Sequence, residues 1–236
     1  MSYGRIGVIG AMDSELAALI AALAQPAQET VQGLIFHTGR LGAREVVLVR
    51  CGIGKVSAAR CTQVLIDRFA PGAVINTGIA GGLAGGLAVG DIVVADGLVQ
   101  HDFDAAPIGF VRGCVCMGDP GAPTVFAPDA ALSALLAQTA GNAIGAQRVH
   151  RGLIATGDQF ISGAAAKAAI RRAAMAAEME GGAVAQAASM SGVPFAVVRA
   201  ISDLADGTAA ASFEQFEQHA ADVSAAAVLQ ALALLD

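Results

Sequence analysis

The stretch Ala177-Glu178-Met179-Glu180-Gly181-Gly182 places two carboxylates two residues apart in a run otherwise made of Ala, Gly and Met. On a strand or an extended turn, side chains at positions i and i+2 point the same way, whereas on a helix they diverge. Downstream, residues 182–190 are almost all small and apolar, which predicts a helix buried in the core. The two carboxylates therefore lie where the chain enters the protein interior.

Upstream, residues 164–177 predict a helix whose exposed side carries Lys167, Arg171 and Arg172. Carboxylates rarely enter a protein interior without a partner or a functional role. One interpretation is that one glutamate caps the buried helix and the other is solvated, since acidic side chains are favoured at helix N-termini. The other interpretation is that a carboxylate here binds a polar ligand. The rest of the chain decides between them.

The composition predicts one large domain spanning residues 1–236. The chain is 55% hydrophobic and 14% charged, too apolar for a disordered protein, and its formal net charge of −6 argues against a nucleic-acid partner. No apolar run reaches the ~18 residues of a membrane span, and the N-terminus lacks a signal-peptide layout. The cysteines at 51, 61, 114 and 116 have no metal-ligand spacing and are interpreted as reduced thiols. We therefore expect a cytoplasmic protein without a metal, a cofactor or a membrane partner.

Short apolar runs alternate with helical patterns, which predicts a single α/β domain with a mixed central β-sheet flanked by helices. The sheet should be mixed because a hairpin, at residues 32–40 and 45–50, lies among crossover units. Asp13 is expected to cap a helix at residues 16–23, and Ser212 to cap the last helix, which ends near residue 235. The other predicted elements are strands at residues 5–10, 73–77, 90–100, 149–156 and 194–201, helices at residues 56–69 and 130–139, and a long irregular segment at residues 105–128.

Several polar or aromatic residues fall at predicted strand ends, where α/β folds place their sites. These are Glu15, the glycine-rich turn at residues 78–82, Phe160, Glu180 and Asp203. Arg199 lies inside an apolar strand, where its charge needs a nearby anion. Three carboxylates, an aromatic ring and an inward arginine predict a site for a neutral, polar ligand with a planar part.

Two further motifs are weaker. His101 and Asp102 are adjacent on a predicted strand and so point to opposite faces, which favours a structural histidine over a catalytic pair. Residues 52–55, Gly-Ile-Gly-Lys, look like part of a phosphate-binding loop, but the spacing of that loop is absent. We interpret them as a tight turn that lets the backbone approach a ligand or another strand.

Eight blocks in one order carry a resemblance to a known family. They are residues 6–12 followed by Glu15, and residues 52–56, 76–82, 89–94, 100–102, 157–161, 178–181 and 199–203. From residue 6 to about residue 220, the chain resembles the 5′-methylthioadenosine/S-adenosylhomocysteine nucleosidases, within the purine nucleoside phosphorylase superfamily. The resemblance implies hydrolysis of the N-glycosidic bond of 5′-methylthioadenosine and/or S-adenosylhomocysteine. Adenine and a thioribose would be released, without a cofactor.

The resemblance also implies a role for each site residue. Glu15 would hold and deprotonate the attacking water, and Asp203, supported by Ser202, would donate a proton towards N7 of adenine. Arg199 would lie near Glu15 and steady its charge. The remaining residues would contact the substrate. Glu178 would contribute a contact, and Glu180 would bind the ribose hydroxyls, with Met179 and Gly81 beside the sugar. Phe160 would stack on adenine, the main chain of Ile161 would bind it, and Met12 and Ile53 would surround the alkylthio group.

This chain departs from the family pattern at three places. Ile79 stands where many members have Ser, and Gly181 and Gly182 are small where others carry bulkier residues. Residues 103–124, which in relatives help form the alkylthio pocket and the dimer contact, match only at their start. Some relatives with Gln-His-Asp at residues 100–102 act on aminodeoxyfutalosine, so this compound and 5′-deoxyadenosine stay open as substrates.

A purine nucleoside phosphorylase and a non-catalytic nucleoside-binding protein are the alternatives. A phosphate site needs converging basic groups, and of the candidates Arg40, Arg44, Arg50 and Arg199 only the last lies in a site block. A binding protein would have no use for both a catalytic base and a catalytic acid. We also expect a homodimer in which the apolar, proline-rich segment 105–128 completes the pocket of the partner.

Overall fold

A nine-stranded mixed sheet runs through the part of the chain that the structure describes, which is residues 3–115, 118–170 and 174–235 of a computed structural model. The strands are β1 (Ile6–Gly10), β2 (Ala24–Val31), β3 (Leu34–Leu41), β4 (Arg44–Arg50), β5 (Ala73–Gly82), β6 (Ile92–Gln100), β7 (Val149–Thr156), β8 (Ala174–Glu178) and β9 (Phe195–Asp203). The helices are α1 (Asp13–Ala21), α2 (Lys55–Phe69), α3 (Ala130–Ile144), α4 (Ala164–Ile170), α5 (Gly181–Met190) and α6 (Ala209–Leu234).

Five of the strands, from β5 to β9, form a closed ring of pairings. The sheet order is β2-β3-β4-β1-β5-β8-β7-β6-β9, and β9 also pairs with β5. The carboxyl ends of the closing strands meet: Gly81 of β5 pairs with both Ala177 of β8 and Asp203 of β9. Thr156 at the end of β7 pairs with Glu178 at the end of β8. Chain segments far apart in the sequence therefore deliver their terminal side chains to one place.

The sheet is covered on both faces, as β4 illustrates. Val46 and Leu48 pack into the apolar cluster formed with α1, α3 and α6, whereas Val47 and Val49 pack into the cluster formed with α2 and α5. Successive strand residues point to opposite faces, so a continuous run of branched apolar residues is typical of a strand buried on both sides. Because both faces of the sheet are covered by packed side chains, the ends of the strands are where a pocket can open.

The predicted α/β class with a mixed sheet is confirmed, but one predicted helix is wrong. The helix expected over residues 164–177 ends with α4 at Ile170, and residues 174–178 form the strand β8 instead. This run is rich in alanine, with nine of its fourteen residues, and carries no apolar periodicity that could distinguish a helix from a buried strand. Arg171 and Arg172, expected on the exposed side of that helix, lie outside the described residues. The polar edge strand β2 was not predicted.

Both predicted N-caps are also wrong, the first by one residue and the second by four. Asp13 is the first residue of α1, and Met12 occupies the cap position. The last helix begins at Ala209, after Thr208, so Ser212 lies inside it. The reason is a turn in which the Asp206 carboxylate accepts hydrogen bonds from the Thr208 N–H at 2.8 Å and the Thr208 hydroxyl at 2.7 Å, which starts the helix early.

In the described ranges, no helix has both the length and the apolar character needed to cross a membrane. Cys51, Cys61 and Cys114 are free and buried. Cys116, the fourth cysteine expected to be a reduced thiol, lies outside the described residues.

Candidate active site

A pocket opens where β1, β5, β8 and β9 end, and the loops after β4 and β7 and one residue of α6 complete its walls. Its lining consists of Ala11, Met12, Glu15, Ile53, Ile79, Ala80, Gly81, Gln159, Phe160, Ile161, Ala177, Glu178, Met179, Glu180, Ser202, Asp203 and Phe213. Every site residue expected from the sequence lines this pocket, except Arg199. The strand closure described above therefore brings together residues that the chain separates widely.

Glu15 is held at the floor of the pocket by three backbone groups. Its Oε2 accepts hydrogen bonds from the N–H groups of Ala11 at 2.6 Å and Met12 at 3.0 Å, and its Oε1 accepts one from the N–H of Ile79 at 3.1 Å. The side chain is 2% exposed. Burial raises its pKa, against the opposing effects of Arg199 and the three N–H groups. A fixed carboxylate with a raised pKa is a stronger base than an ordinary glutamate.

Gly78 allows Glu15 and Arg199 to approach β5. A Cβ at this position would lie 2.3 Å from Arg199 Nη1 and 2.4 Å from Glu15 Oε1. Both side chains are almost fully buried and cannot swing into solvent. Residue 78 therefore has to be glycine for this arrangement of charges to form.

We expect Gly78→Ala to displace both side chains. Overpacking of this kind typically costs about 1–3 kcal/mol, and a shifted Glu15 should also lower kcat by about tenfold or more. Thermal unfolding and steady-state kinetics measure the two effects. Gly85→Ala is the matched control, because no atom lies within 4 Å of the added Cβ. Parent-like kinetics in Gly78→Ala would contradict the requirement.

Arg199 lies beneath the pocket rather than in its wall. It is fully buried and donates hydrogen bonds to Glu178 and, at 2.6 Å, to Asn76 Oδ1. Its guanidinium nitrogens also lie 3.6 Å from Glu180 Oε2 and 3.9 Å from Glu15 Oε1. The expectation that Arg199 lies near Glu15 agrees with this geometry. Arg199 does not line the pocket, and its expected part in substrate binding stays a prediction.

Glu178 belongs to the same supporting layer. Its Oε2 accepts the N–H groups of Glu180 at 3.0 Å and Gly181 at 2.6 Å, and its Oε1 accepts the Thr156 hydroxyl. With Arg199 added, both of its oxygens are occupied by protein donors. Glu178 therefore caps the start of α5, as one interpretation of the sequence held. Glu178 also lines the pocket, so its expected contact with substrate stays a prediction.

Glu180 was the glutamate that this interpretation left solvated, and that is wrong. The side chain is 4% exposed, and its Oε1 accepts the N–H of Gly54 at 2.8 Å. Burial, together with the nearby charges of Glu178 and Glu15, raises the pKa of Glu180 to about 7, although Arg199 and Gly54 oppose the shift. Near neutral pH, this carboxyl can both accept and donate hydrogen bonds.

The raised pKa of Glu180 predicts a pH-dependent stability. The folded protein binds more protons than the unfolded chain between the ordinary pKa of 4.5 and the folded-state pKa of about 7. The free energy of unfolding should therefore fall as the pH rises through this window. We expect a smaller fall in Glu180→Gln, which chemical denaturation at pH 5 and pH 7 measures. The surface variant Glu45→Gln is the control. Equal slopes in Glu180→Gln and the parent would count against the prediction.

Asp203 ends β9 and faces the same pocket. Its Oδ1 accepts the N–H of Ala205 at 2.8 Å, and its Oδ2 accepts the hydroxyl of Ser202 at 2.9 Å. Burial raises the pKa of Asp203, with a further contribution from Asp206, while the two hydrogen bonds and the charge of Lys167 act in the opposite direction. A larger fraction of this carboxyl is therefore protonated at a given pH than for an ordinary aspartate.

Two aromatic rings form one wall of the pocket. Phe160 is 49% exposed, and its ring meets that of Phe213 edge-to-face with centroids 5.7 Å apart. Sequence reasoning missed Phe213, for which the available signal was an aromatic residue beside Ser212 near the start of the last helix. Partly exposed rings beside buried carboxylates suit a ligand with a planar apolar part and a polar part.

The sheet and the pocket define the class of protein. A family model described as the phosphorylase superfamily matches residues 5–233, and the chain belongs to this superfamily. A 5′-methylthioadenosine/S-adenosylhomocysteine nucleosidase from Anoxybacillus flavithermus is 44% identical, with 92% of each chain covered. The S-adenosylhomocysteine nucleosidase of Streptococcus pyogenes, solved with 5-methylthiotubericidin, has a TM-score of 0.92 at 39% identity and covers 100% of this chain and 99% of its own.

Within the superfamily, the chain belongs to the 5′-methylthioadenosine/S-adenosylhomocysteine nucleosidases, and the resemblance found in the sequence is confirmed. A futalosine hydrolase of Helicobacter pylori is also similar, with a TM-score of 0.87 at 31% identity and 97% of each chain covered. The fold and the family are thus established.

Proposed function

We propose that this protein hydrolyses the N-glycosidic bond of 5′-methylthioadenosine or S-adenosylhomocysteine and releases adenine and a thioribose. The observation that carries the proposal is the presence of Glu15 and Asp203 in one pocket, each buried and each with a raised pKa. Hydrolysis of a nucleoside needs a base for the water and an acid for the purine. Family membership supplies the substrate class.

The two carboxyl groups divide the chemistry between them. Water, held by the Glu15 carboxylate, gives a proton to Glu15 and forms a bond to the anomeric carbon. The bond from that carbon to the purine nitrogen breaks, and its electron pair goes to the purine. The protonated Asp203 gives its proton to N7, so that adenine leaves as a neutral molecule. Positive charge that develops on the sugar is stabilised by the surrounding carboxylates.

The remaining lining residues would position the substrate. Glu180, whose second oxygen is directed towards Arg199, would accept hydrogen bonds from the ribose hydroxyls. Met179 and Gly81 would lie against the sugar. Phe160, and with it Phe213, would stack on adenine, and the main chain of Ile161 would bind its edge. Met12 and Ile53 would surround the alkylthio group, and Ser202 would orient Asp203. Ile53 is 58% exposed, which suits a position at the pocket mouth.

A phosphorolytic reaction is disfavoured by the charges of the site. Among the described residues that line the pocket there is no Lys or Arg. Three glutamates surround Arg199, the one site arginine, and would repel a phosphate ion. Arg50 is engaged with Asp13 at 3.1 Å on the surface. A water molecule fits this electrostatic environment better than phosphate does.

The experiment that tests the proposal is adenine release from 5′-methylthioadenosine with and without inorganic phosphate. We expect equal rates in both conditions and free methylthioribose as the second product. Release that requires phosphate and yields a sugar phosphate would move the protein to the phosphorylases. Binding of adenosine analogues without any release would favour the non-catalytic alternative.

The range of 5′ substituents should be measured in the same assay. The likeness to a futalosine hydrolase supports aminodeoxyfutalosine as an additional substrate, and 5′-deoxyadenosine tests whether the sulfur is needed. Ile79 presents an apolar side chain to the pocket while its N–H binds Glu15. We expect this apolar surface to favour alkylthio substrates over those with a free 5′ hydroxyl.

We further propose that the protein is a cytoplasmic homodimer, with residues 105–128 completing the partner's pocket. In the described part of this segment, Ile108 is 66% exposed and Val125 is 52% exposed, which is unusual for large apolar side chains. Sedimentation at micromolar concentration tests the proposal, and a fully active monomer would contradict it.

A further inference from the structure

Three residues outside the pocket form a closed ring of hydrogen bonds between three loops. The ammonium group of Lys55 donates to Asp102 Oδ1 at 2.6 Å, and Asp102 Oδ2 accepts the N–H of Asp158 at 2.8 Å. The carboxylate of Asp158 in turn accepts the N–H of Lys55 at 2.8 Å. The ring links the start of α2, the end of β6 and the loop after β7. None of the three residues lines the pocket.

Two of the three loops in the ring carry part of the pocket wall. Lys55 follows Ile53, which lines the pocket, and Gly54, whose N–H holds Glu180 at 2.8 Å. Asp158 precedes Phe160 by two residues, and Gln159 to Ile161 all line the pocket. The ring therefore joins the loop that carries Phe160 to the loop that holds Glu180.

The contacts in the ring are close and partly buried. The side chains of Lys55 and Asp102 are 18% and 15% exposed, so their ion pair is less screened by solvent than a surface pair. Burial raises the pKa of Asp102, but the Lys55 ammonium and the Asp158 N–H outweigh it and hold the pKa below its usual value. Gly54 fits against the ring, because a Cβ there would lie 3.0 Å from Asp158 Oδ1.

We propose that Lys55, Asp102 and Asp158 are positioning residues that fix the aromatic wall of the pocket relative to the loop that holds Glu180. This inference rests on the proposed function, because it assigns the two walls to the purine and the ribose of one substrate. With the ring intact, the distance between the two walls is set before the substrate arrives. Without it, part of the binding energy has to be spent on ordering the loops.

The variants Lys55→Met and Asp102→Asn test the ring. Each should lower kcat/KM for 5′-methylthioadenosine by about ten- to a hundredfold, mainly through a higher KM, because misplaced walls weaken substrate binding. The double variant should be little worse than either single variant, since both remove the same interaction. Asp96→Asn is the matched control, as it breaks an exposed ion pair with Arg151 elsewhere on β6.

Hydrogen exchange provides a readout that does not depend on activity. Peptides that cover residues 52–56 and 157–162 should exchange faster in Asp102→Asn than in the parent or in Asp96→Asn. Asp158→Ala, at an exposed position with little risk to folding, should give the same pattern. Thermal unfolding shows that each variant is folded.

The outcomes separate the inference from the proposed function. A parent protein that releases adenine, with unchanged kcat/KM and exchange in Asp102→Asn and Asp158→Ala, would overturn the ring and leave the function standing. Additive losses in the double variant would also overturn it. A parent protein that releases no adenine would refute the proposed function. The exchange rates of the two loops would then show by themselves whether the ring orders these loops.

Discussion

Glu15→Gln should lose about 10²–10⁴-fold in kcat, the range that general-base catalysis typically contributes, because the amide cannot take a proton from water. KM and the affinity for adenine should change little, since Glu15 touches the water rather than the purine in the proposed mechanism. Steady-state kinetics and calorimetric titration with adenine measure the two quantities. The loss should persist at every pH, because no titration restores a base at this position.

The structure offers a matched control for this variant. Glu217, on α6, accepts a hydrogen bond from the hydroxyl of Ser14 at 2.7 Å and lies outside the pocket. Glu217→Gln makes the same chemical change beside the same helix and should leave kcat within about twofold, as is usual for surface changes. Retention of a tenth or more of parent kcat in Glu15→Gln would show that another group activates the water.

Asp203→Asn should lower kcat by about 10²–10⁴-fold, because asparagine keeps the shape of the side chain but cannot transfer a proton to the purine. Its amide oxygen can still accept the N–H of Ala205, so the fold around β9 should be retained. The parent rate should fall on the alkaline side of the pH profile, where Asp203 loses its proton, and this limb should be absent in the variant.

A change of leaving group distinguishes the acid from the base. With the 4-nitrophenyl O-glycoside of 5-methylthioribose, the departing phenolate needs no proton, so Asp203→Asn should regain most of the parent rate. Glu15→Gln should remain inactive, since water still has to be activated. Asp222→Asn, at an exposed position on α6, serves as the control. Equal losses of Asp203→Asn on both substrates would indicate a binding or structural role instead.

The fold class and most of the pocket could be predicted because their signals are local. Branched apolar runs mark the buried strands, and polar residues directly after them mark the strand ends. Glu15 and Asp203 are visible in this way without knowledge of how the strands pair. The chemical roles of these residues were predicted from the resemblance of whole blocks to a family. Composition and spacing alone left capping and ligand binding equally open for Glu178 and Glu180.

What the sequence could not supply depends on strand order. Arg199 clearly needed an anion, but its closest partner is Glu178 rather than Glu15, which follows from β9 lying beside β5. Phe213 reaches the pocket only because α6 packs across the sheet. The alanine-rich run that holds α4 and β8 had no periodicity, so its division into helix and strand depended on the tertiary structure around it.

The buried cluster under the pocket also constrains the order in which the molecule can assemble. Glu15, Glu178 and Glu180 are all synthesised before Arg199, the cation around which they lie. Until β9 inserts between β5 and β6, the three acids have to stay hydrated. A growing chain can therefore seal its interior only after the last strand has emerged from the ribosome. No amino-terminal fragment that ends before β9 can contain a dry, working site.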